Sequence, residues 1–157
     1  MINLDEFLSG LEAGSRLYIA GSSAEPRQFI EALAAAGISL NPLHVTHSFV
    51  PGINPHPIAT QQNALCELAV FPRDSALMRV GRIDFIPQSY FDTVLTLQQK
   101  SFDWAVVQVS PPDQAGRCSL GPSVEFMPTV LKRSGKILGL INKNVPVLPG
   151  SPTLPYS

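Results

Sequence analysis

Small and polar residues are concentrated in two short segments, each of which follows an apolar run. Residues 21–26 read Gly-Ser-Ser-Ala-Glu-Pro and follow the run at 16–20. Residues 110–121 read Ser-Pro-Pro-Asp-Gln-Ala-Gly-Arg-Cys-Ser-Leu-Gly and follow the run at 103–109. Open α/β sheets bind their ligands in loops at the carboxyl ends of strands. We therefore expect chemistry first in these two segments.

The segment at 21–26 has features of an anion-binding loop. Free backbone N–H groups and the positive end of a helix dipole lie at a helix amino terminus, where they attract anions or a developing oxyanion. An ordinary strand-to-helix turn that needs Gly21 for its conformation explains the same sequence, so both interpretations stay open. The candidate residues are Gly21, Ser22, Ser23, Ala24, Glu25 and Pro26.

Glu25 has the chemistry of an acyl-accepting nucleophile, because a carboxylate that attacks a thioester forms an activated mixed anhydride. An acidic residue in a first helical turn is more often a surface group that stabilises the helix dipole, by about 0.3–1 kcal/mol. We therefore do not assign the nucleophile to Glu25.

The segment at 110–121 combines turn residues with hydroxyl groups. We expect it to shape a cleft and not to transfer protons, since Pro-Asp-x-x-Gly is also ordinary turn chemistry. Cys118 has no neighbouring base in the sequence and is not expected to be a nucleophile. The candidate cleft residues here are Ser110, Asp113, Gly116, Ser119 and Gly121.

The histidines do not have the spacing of a metal site. His44 and His47 lie three residues apart on a predicted strand, so their side chains point to opposite faces. His47, near the strand end, is the histidine that we place beside a substrate. We predict no metal ligand and no catalytic residue in this chain.

Composition limits the partners of the protein. With 157 residues, 45% hydrophobic and 15% charged, the chain has the size and apolar content of one folded domain. A net charge of −1 gives no broad positive field, so neither nucleic acid nor an anionic membrane is expected as a partner. No apolar run approaches the roughly 20 residues that span a bilayer. Two cysteines without metal-ligand spacing and the lack of a signal-peptide pattern predict a cytoplasmic protein.

Strand and helix patterns alternate along the chain. This order predicts an α/β fold with a mainly parallel sheet and flanking helices. The near-continuous apolar runs at 104–109 and 137–141 predict parallel strands that are covered on both faces. We expect one domain over residues 1–150, followed at 151–157 by a truncated connection to an absent second domain. Strands are predicted at 16–20, 43–49, 83–85, 104–109 and 137–141, and helices from Asn3 to about 11 and at 26–36, 73–80, 90–100 and 124–133.

Four stretches follow one another along the chain in a recognisable order. They are residues 17–26, the Gly-Arg-Ile-Asp-Phe-Ile-Pro motif at 81–87, the loop at 110–121, and Asn-Lys-Asn-Val-Pro-Val-Leu-Pro-Gly at 142–150. In order and spacing these stretches resemble the acetyl-CoA hydrolase/transferase family of CoA-transferases. The resemblance runs through nearly the whole chain but covers only the first of the two similar domains of family members. It implies the CoA-transferase type of α/β fold.

The resemblance also implies an activity, which is CoA transfer from an acyl-CoA to a small carboxylate or acyl-CoA hydrolysis. The coenzyme A thioester would be a substrate, with no permanently bound cofactor. The family's nucleophilic glutamate lies in the second domain, so this chain alone is expected to be inactive. That second domain and a homo-oligomer are the expected protein partners. A stand-alone non-catalytic module that binds CoA or a small ligand and a sugar-phosphate isomerase-like enzyme remain the alternatives.

Overall fold

Six parallel strands form the main sheet of the computed structural model, which describes residues 3–36, 43–48, 50, 52–54, 64–68 and 83–156. These strands are β1 (Arg16–Ile19), β2 (Leu43–His47), β3 (Ala64–Leu68), β4 (Ile83–Phe85), β5 (Phe102–Val109) and β7 (Ser134–Ile141). Two further strands, β6 (Arg117–Ser119) and β8 (Thr153–Pro155), pair antiparallel to each other. The helices are α1 (Leu4–Ser9), α2 (Arg27–Ala36), α3 (Tyr90–Gln99) and α4 (Met127–Val130). The predicted α/β class and parallel sheet are confirmed.

The strand order places a change of direction next to β1. The order across the sheet is β4-β3-β2-β1-β5-β7, so the chain first builds outward from β1 to β4 and then returns to the other side of β1 with β5. Tyr18 of β1 is in register with Thr46 on one side and Ala105 on the other. The gap between the carboxyl ends of β1 and β5 is thus a topological switch point, where open α/β sheets bind ligands.

Side chains of β1 alternate between two buried cores. Leu17 and Ile19 pack with Phe29 of α2 on one face of the sheet. Tyr18 and Ala20 pack on the opposite face with Met127 of α4 and other apolar residues. Both faces of β1 are therefore covered.

Asn3 and Pro26 mark where α1 and α2 begin. The Asn3 side chain accepts a hydrogen bond from the Asp5 N–H at 3.0 Å, which confirms the predicted cap of α1. The Pro26 carbonyl accepts from the Phe29 and Ile30 N–H groups and so starts α2. Across the described ranges, none of the helices has both the length and the apolar character to cross a membrane. The helix predicted at 73–80 lies outside the described residues.

The structure differs from the predicted elements at the carboxyl-terminal end. β7 is an edge strand, and Ile137 and Ile141 are 40% and 42% exposed, so the prediction that residues 137–141 are covered on both faces is wrong.

The helix predicted at 124–133 is reduced to α4 and a 3-10 turn at Leu131–Arg133. Pro128 has no N–H group and is tolerated only in the first helical turn, which fixes the late start of α4. β3, β6 and β8 were not predicted.

Candidate functional site

The loop after β1 forms a single turn of 3-10 helix at the switch point. The turn covers Ser22–Ala24, and the Ala24 N–H donates to the Gly21 carbonyl at 3.0 Å. Ser22 has a φ of +52°, which is rare for a residue with a side chain. Ala24, Glu25 and Pro26 are buried, whereas Ser23 is exposed. Ser23 is thus the part of this loop that faces solvent.

Gly21 allows this loop to lie directly against the end of β2. A Cβ atom at position 21 would lie 1.8 Å from the Ser48 carbonyl oxygen and 2.7 Å from its carbon. The Ser22 N–H donates to the same Ser48 oxygen at 3.2 Å. Glycine is required here for close approach of two backbones.

Among the described residues, only some backbone N–H groups of the loop at 21–26 have a hydrogen-bond acceptor. Those of Ser22, Ala24 and Glu25 donate to backbone carbonyls. No residue in the described part of the chain accepts a hydrogen bond from the N–H of Gly21 or Ser23. Gly21 is buried and Ser23 is exposed, so the N–H of Ser23 is the one of these two that belongs to an exposed residue.

His47 lies beneath the loop as a buried neutral imidazole. Its Nδ1 lies 3.0 Å from the Ile19 carbonyl, to which it donates, and its Nε2 lies 3.7 Å from Glu25 Oε1. Burial lowers the pKa of His47 to about 4, although the hydrogen bond to Ile19 acts in the opposite direction. The short His47–Glu25 distance is therefore a buried polar contact with a neutral imidazole and not an ion pair at neutral pH.

The segment after Gly121 also contacts the ends of β1 and β2. The Ser48 hydroxyl donates to Glu125 Oε2 at 2.6 Å. The Asn54 side-chain amide donates to the Ser22 carbonyl at 2.9 Å, while its oxygen accepts from the Val50 N–H at 2.8 Å. The end of β1, the end of β2 and the segment after Gly121 are thus joined by hydrogen bonds.

Two tyrosine hydroxyls share the electrostatic environment of Glu125. Burial raises the pKa of Tyr18 strongly, and the charge of Glu125 adds to this effect. Desolvation and Glu125 likewise raise the pKa of Tyr90, whose ring stacks on Phe126 at 4.5 Å. Tyr18 is 1% exposed, and its hydroxyl has no hydrogen-bond partner among the described residues.

The loop after β5 is held by its own hydrogen bonds. Asp113 Oδ1 accepts from the N–H groups of Ala115 and Arg117, and the Gly116 N–H donates to the Asp113 carbonyl. Gly116 has a φ of +69°. These contacts build a tight turn, as the alternative interpretation of Pro-Asp-x-x-Gly describes.

The two candidate serines of this loop are buried and bonded to each other's backbone. Ser110 Oγ accepts from the Ser119 N–H at 2.9 Å, and the Ser110 N–H donates to the Ser119 carbonyl. Ser119 Oγ accepts from the Gly121 N–H at 3.0 Å and donates to Ser151 Oγ at 3.2 Å. The hydrogen bonds that the structure shows for these hydroxyls connect β5, β6 and the segment before β8.

Position in the sheet separates the candidates into two groups. The loop at 21–26 and His47 come together at the ends of β1 and β2, with Ser48, Asn54 and Glu125. Ser110, Asp113, Gly116 and Ser119 instead organise the hairpin that follows β5.

Sequence patterns did not point to Ser48, Asn54 or Glu125. Ser48 directly follows His47 at a strand end, and this position is a usable signal. Finding Glu125 requires the strand order, because its contact with Ser48 joins residues 77 positions apart.

The described residues support neither a metal site nor a reactive thiol. No three His, Cys, Asp or Glu side chains come together there as metal ligands. Cys118 is a buried free thiol, and burial, with the charge of Asp113, raises its pKa. A raised pKa disfavours the thiolate that a nucleophile requires.

Comparison with known proteins identifies relatives of the whole chain. The chain is 26% identical over 159 residues to a succinyl-CoA:acetate/propanoyl-CoA:succinate CoA transferase of Fasciola hepatica, covering 99% of this chain and 33% of that protein. It is 25% identical over 152 residues to a 4-hydroxybutyrate coenzyme A transferase of Clostridium kluyveri, covering 93% of this chain and 35% of that protein. The chain thus spans about a third of the length of these relatives.

Solved structures share the fold. RipA from Yersinia pestis superimposes with a TM-score of 0.77 at 19% identity, over 92% of this chain and 37% of that one. A 4-hydroxybutyrate CoA-transferase from Porphyromonas gingivalis superimposes with a TM-score of 0.71 at 21% identity, over 98% of this chain and 36% of that one. At these identities the likeness establishes the fold alone.

Family membership follows from the sequence pattern of the acetyl-CoA hydrolase/transferase N-terminal domain, which matches residues 1–152. The match covers almost the entire chain, and it confirms the resemblance carried by the four motifs. The chain therefore belongs to the acetyl-CoA hydrolase/transferase family and corresponds to its N-terminal domain.

Proposed function

We propose that this chain is the amino-terminal part of an enzyme that transfers CoA from an acyl-CoA to a small carboxylate, or that hydrolyses an acyl-CoA. The observation that carries this proposal is the loop at 21–26, which lies at the switch point and presents the exposed Ser23 and its N–H group. The names of the curated relatives, both of them CoA transferases, support the same substrate class.

The chemistry proposed for the whole enzyme has three steps. A carboxylate of the enzyme attacks the acyl-CoA thioester, which forms a mixed anhydride and releases the CoA thiolate. The thiolate then attacks the enzyme carbonyl, which gives an enzyme thioester and releases the acid. The third step runs the first two in reverse with an acceptor carboxylate. The acceptor attacks the enzyme thioester, which forms a second mixed anhydride and releases the CoA thiolate, and the thiolate attacks the acceptor carbonyl to give the new acyl-CoA and the free enzyme carboxylate. Water that attacks the enzyme thioester instead releases CoA and the enzyme carboxylate, which is net hydrolysis.

Residues of this chain would bind and polarise the substrate. In each addition, negative charge develops on a carbonyl oxygen, and a backbone N–H aimed at that oxygen stabilises it. The Ser23 N–H is the donor that we assign to this role. His47 lies beneath the loop and supports it, and residues 110–121 form the neighbouring wall of the cleft.

Glu25 is not assigned the attack on the thioester. Its side chain is buried, with the whole residue only 5% exposed, and its Oε1 lies against His47. A nucleophile must contact the substrate carbonyl. As the resemblance to the family implies, we propose that the reactive glutamate belongs to a second domain, and that this domain, in a cytoplasmic homo-oligomer, completes the cleft.

The test is a transfer assay with acetyl-CoA and propionate, followed by mass spectrometry of the CoA esters. Purified 1–157 is expected to form no propionyl-CoA, and the natural protein that contains this chain is expected to form it. Propionyl-CoA formed by 1–157 itself would contradict the placement of the nucleophile. Absence of both transfer and acetyl-CoA hydrolysis by the natural protein would contradict the proposed function.

Calorimetric titration together with the transfer assay separates the alternatives. A non-catalytic module binds CoA, or another small ligand, without turnover by any protein that contains the chain. An isomerase-like enzyme instead binds ribose 5-phosphate in preference to CoA.

A further inference from the structure

Ser48 is the point at which three segments meet. Its carbonyl accepts from the Ser22 N–H at 3.2 Å, and its hydroxyl donates to Glu125 Oε2 at 2.6 Å. Ser48 is only 4% exposed. A single serine thus connects the loop after β1 with the segment that follows Gly121.

The path of the chain makes this connection a bridge over the switch point. β1 lies between β2 and β5 in the sheet. The segment 121–126 follows the hairpin attached to the end of β5, and it reaches Ser48 at the end of β2. It therefore spans the end of β1, next to the loop at 21–26.

Backbone strain coincides with this bridge. Ser22 and Glu125, with φ values of +52° and +36°, are the non-glycine residues of the described chain that have positive φ. Both are hydrogen-bonded to Ser48. Strained residues persist where the surrounding structure holds them, and they concentrate at ligand sites.

The charge of Glu125 does not itself favour an anionic ligand. A carboxylate next to a loop that receives an oxyanion raises the free energy of the bound state through like-charge repulsion. What Glu125 contributes is its oxygen as an acceptor for the Ser48 hydroxyl. A glutamine side chain at this position retains such an acceptor without the charge.

We propose that Glu125 is a positioning residue that acts through Ser48 to hold the backbone of Ser22 and Ser23 in the orientation that receives the ligand. This role rests on the function proposed above. Glu125 itself touches neither CoA nor the acyl group in this account.

Four variants of 1–157 test the proposal. Glu125→Ala and Glu125→Gly both remove the acceptor, but glycine also relieves the strain at positive φ. Glu125→Gln keeps the acceptor. Glu31→Gln is the control, since it makes the same change at an exposed position of α2. The readouts are amide hydrogen exchange at residues 22–24, the Kd for CoA by calorimetry, and the Tm.

The expected result separates positioning from general stability. Amide exchange at 22–24 and the Kd for CoA each rise about tenfold in Glu125→Ala and Glu125→Gly alike, the effect of losing one hydrogen bond. Glu125→Gly nevertheless melts about 2–4 °C above Glu125→Ala because it lacks the strain. Glu125→Gln and Glu31→Gln behave like the wild type.

Other outcomes overturn the proposal. If amide exchange at 22–24 and the Kd for CoA change in step with the Tm, Glu125→Gly will lie closer to the wild type than Glu125→Ala in all three. Glu125 then has only a structural role. If Glu125→Gln fails like alanine, the hydrogen bond is not its contribution. If the wild type binds CoA and all variants bind equally, the positioning role fails while the proposed function stands. If the loop at 21–26 loosens in the variants but neither wild-type 1–157 nor the natural protein that contains this chain binds CoA, the proposed function fails and Glu125 orders the loop for another ligand.

Discussion

The polar side chains beneath the loop at 21–26 surround a histidine, His47, that is buried in its neutral form. His47 has no measurable exposure, and its Nδ1–H donates to the Ile19 carbonyl at 3.0 Å. Its Nε2 faces Glu25 Oε1 at 3.7 Å. Because burial lowers the pKa of His47, the folded chain resists protonation of the imidazole.

This arrangement makes the stability of the chain depend on pH. The pKa of His47 is about 4 in the folded chain and about 6.5 in the unfolded one, so the unfolded chain binds the proton more tightly. The contribution of neutral His47 is complete above about pH 6.5 and is lost as the pH falls to about 4. The difference between the two pKa values corresponds to on the order of 3 kcal/mol.

We expect His47→Gln to flatten the stability profile between pH 7 and pH 4.5. Urea unfolding at several pH values measures this. His44→Gln is the matched control, since His44 is exposed on the same strand. Equal pH slopes for the wild type and His47→Gln would show that His47 is not the buried neutral group described here.

At the element scale, the contact between the β1 loop and the end of β2 depends on Gly21. Gly21→Ala would place Cβ 1.8 Å from the Ser48 carbonyl oxygen, and a backbone atom cannot move aside as a flexible side chain does. We expect a loss of at least about 1–3 kcal/mol in the free energy of unfolding, the usual effect of overpacking. Urea unfolding at neutral pH is the measurement.

Gly139→Ala is the control for this substitution. A Cβ at Gly139 of β7 would meet Val109 Cγ2 at 3.5 Å, which is ordinary van der Waals contact. Alanine in a strand interior is expected to be neutral or to stabilise by about 0.5 kcal/mol. If the two variants unfold alike, the close approach at Gly21 does not limit stability.

The sequence predicts the elements whose pattern is local. Residues 104–109 form a continuous apolar run, and Asn3 and Pro26 lie at helix starts, so these elements follow from composition and capping. β6 and β8 have three residues each and no apolar pattern, because their pairing depends on a contact between distant segments. Exposure of Ile137 and Ile141 also escaped prediction, since an edge strand and a central strand have the same apolar composition.

Site residues were likewise predicted only where a local pattern marks them, and not where a contact between distant segments brings them together. Gly21 and His47 were found because each lies at the end of a predicted strand. Glu125 was not, because only the order of β2, β1 and β5 brings it to Ser48. Asp113 illustrates the opposite case, in which a motif that resembles a functional loop also builds a local turn.

At the scale of the whole molecule, β7 leaves an apolar surface uncovered. Ile137 and Ile141 lie on the same face of this edge strand and are about two-fifths exposed. The proposed second domain would bury such a surface, because apolar patches of this kind mark contact sites.

We expect purified 1–157 to associate through this surface at high concentration. Ile137→Glu combined with Ile141→Glu should return the protein to a monomer, which light scattering measures. Leu95→Glu, at an exposed apolar residue of α3, is the control and should leave association unchanged. A wild-type monomer at all concentrations would count against this role for β7.

The function proposed for this chain requires that CoA binds at the switch point between β1 and β5. Amide hydrogen exchange of 1–157, measured residue by residue with and without saturating CoA, tests it most directly. The expected result is slower exchange at residues 21–26, with Ser23 most affected, and a smaller effect at 110–121. Slower exchange confined to other regions, or no change at Ser23 while CoA is bound, would contradict the claim.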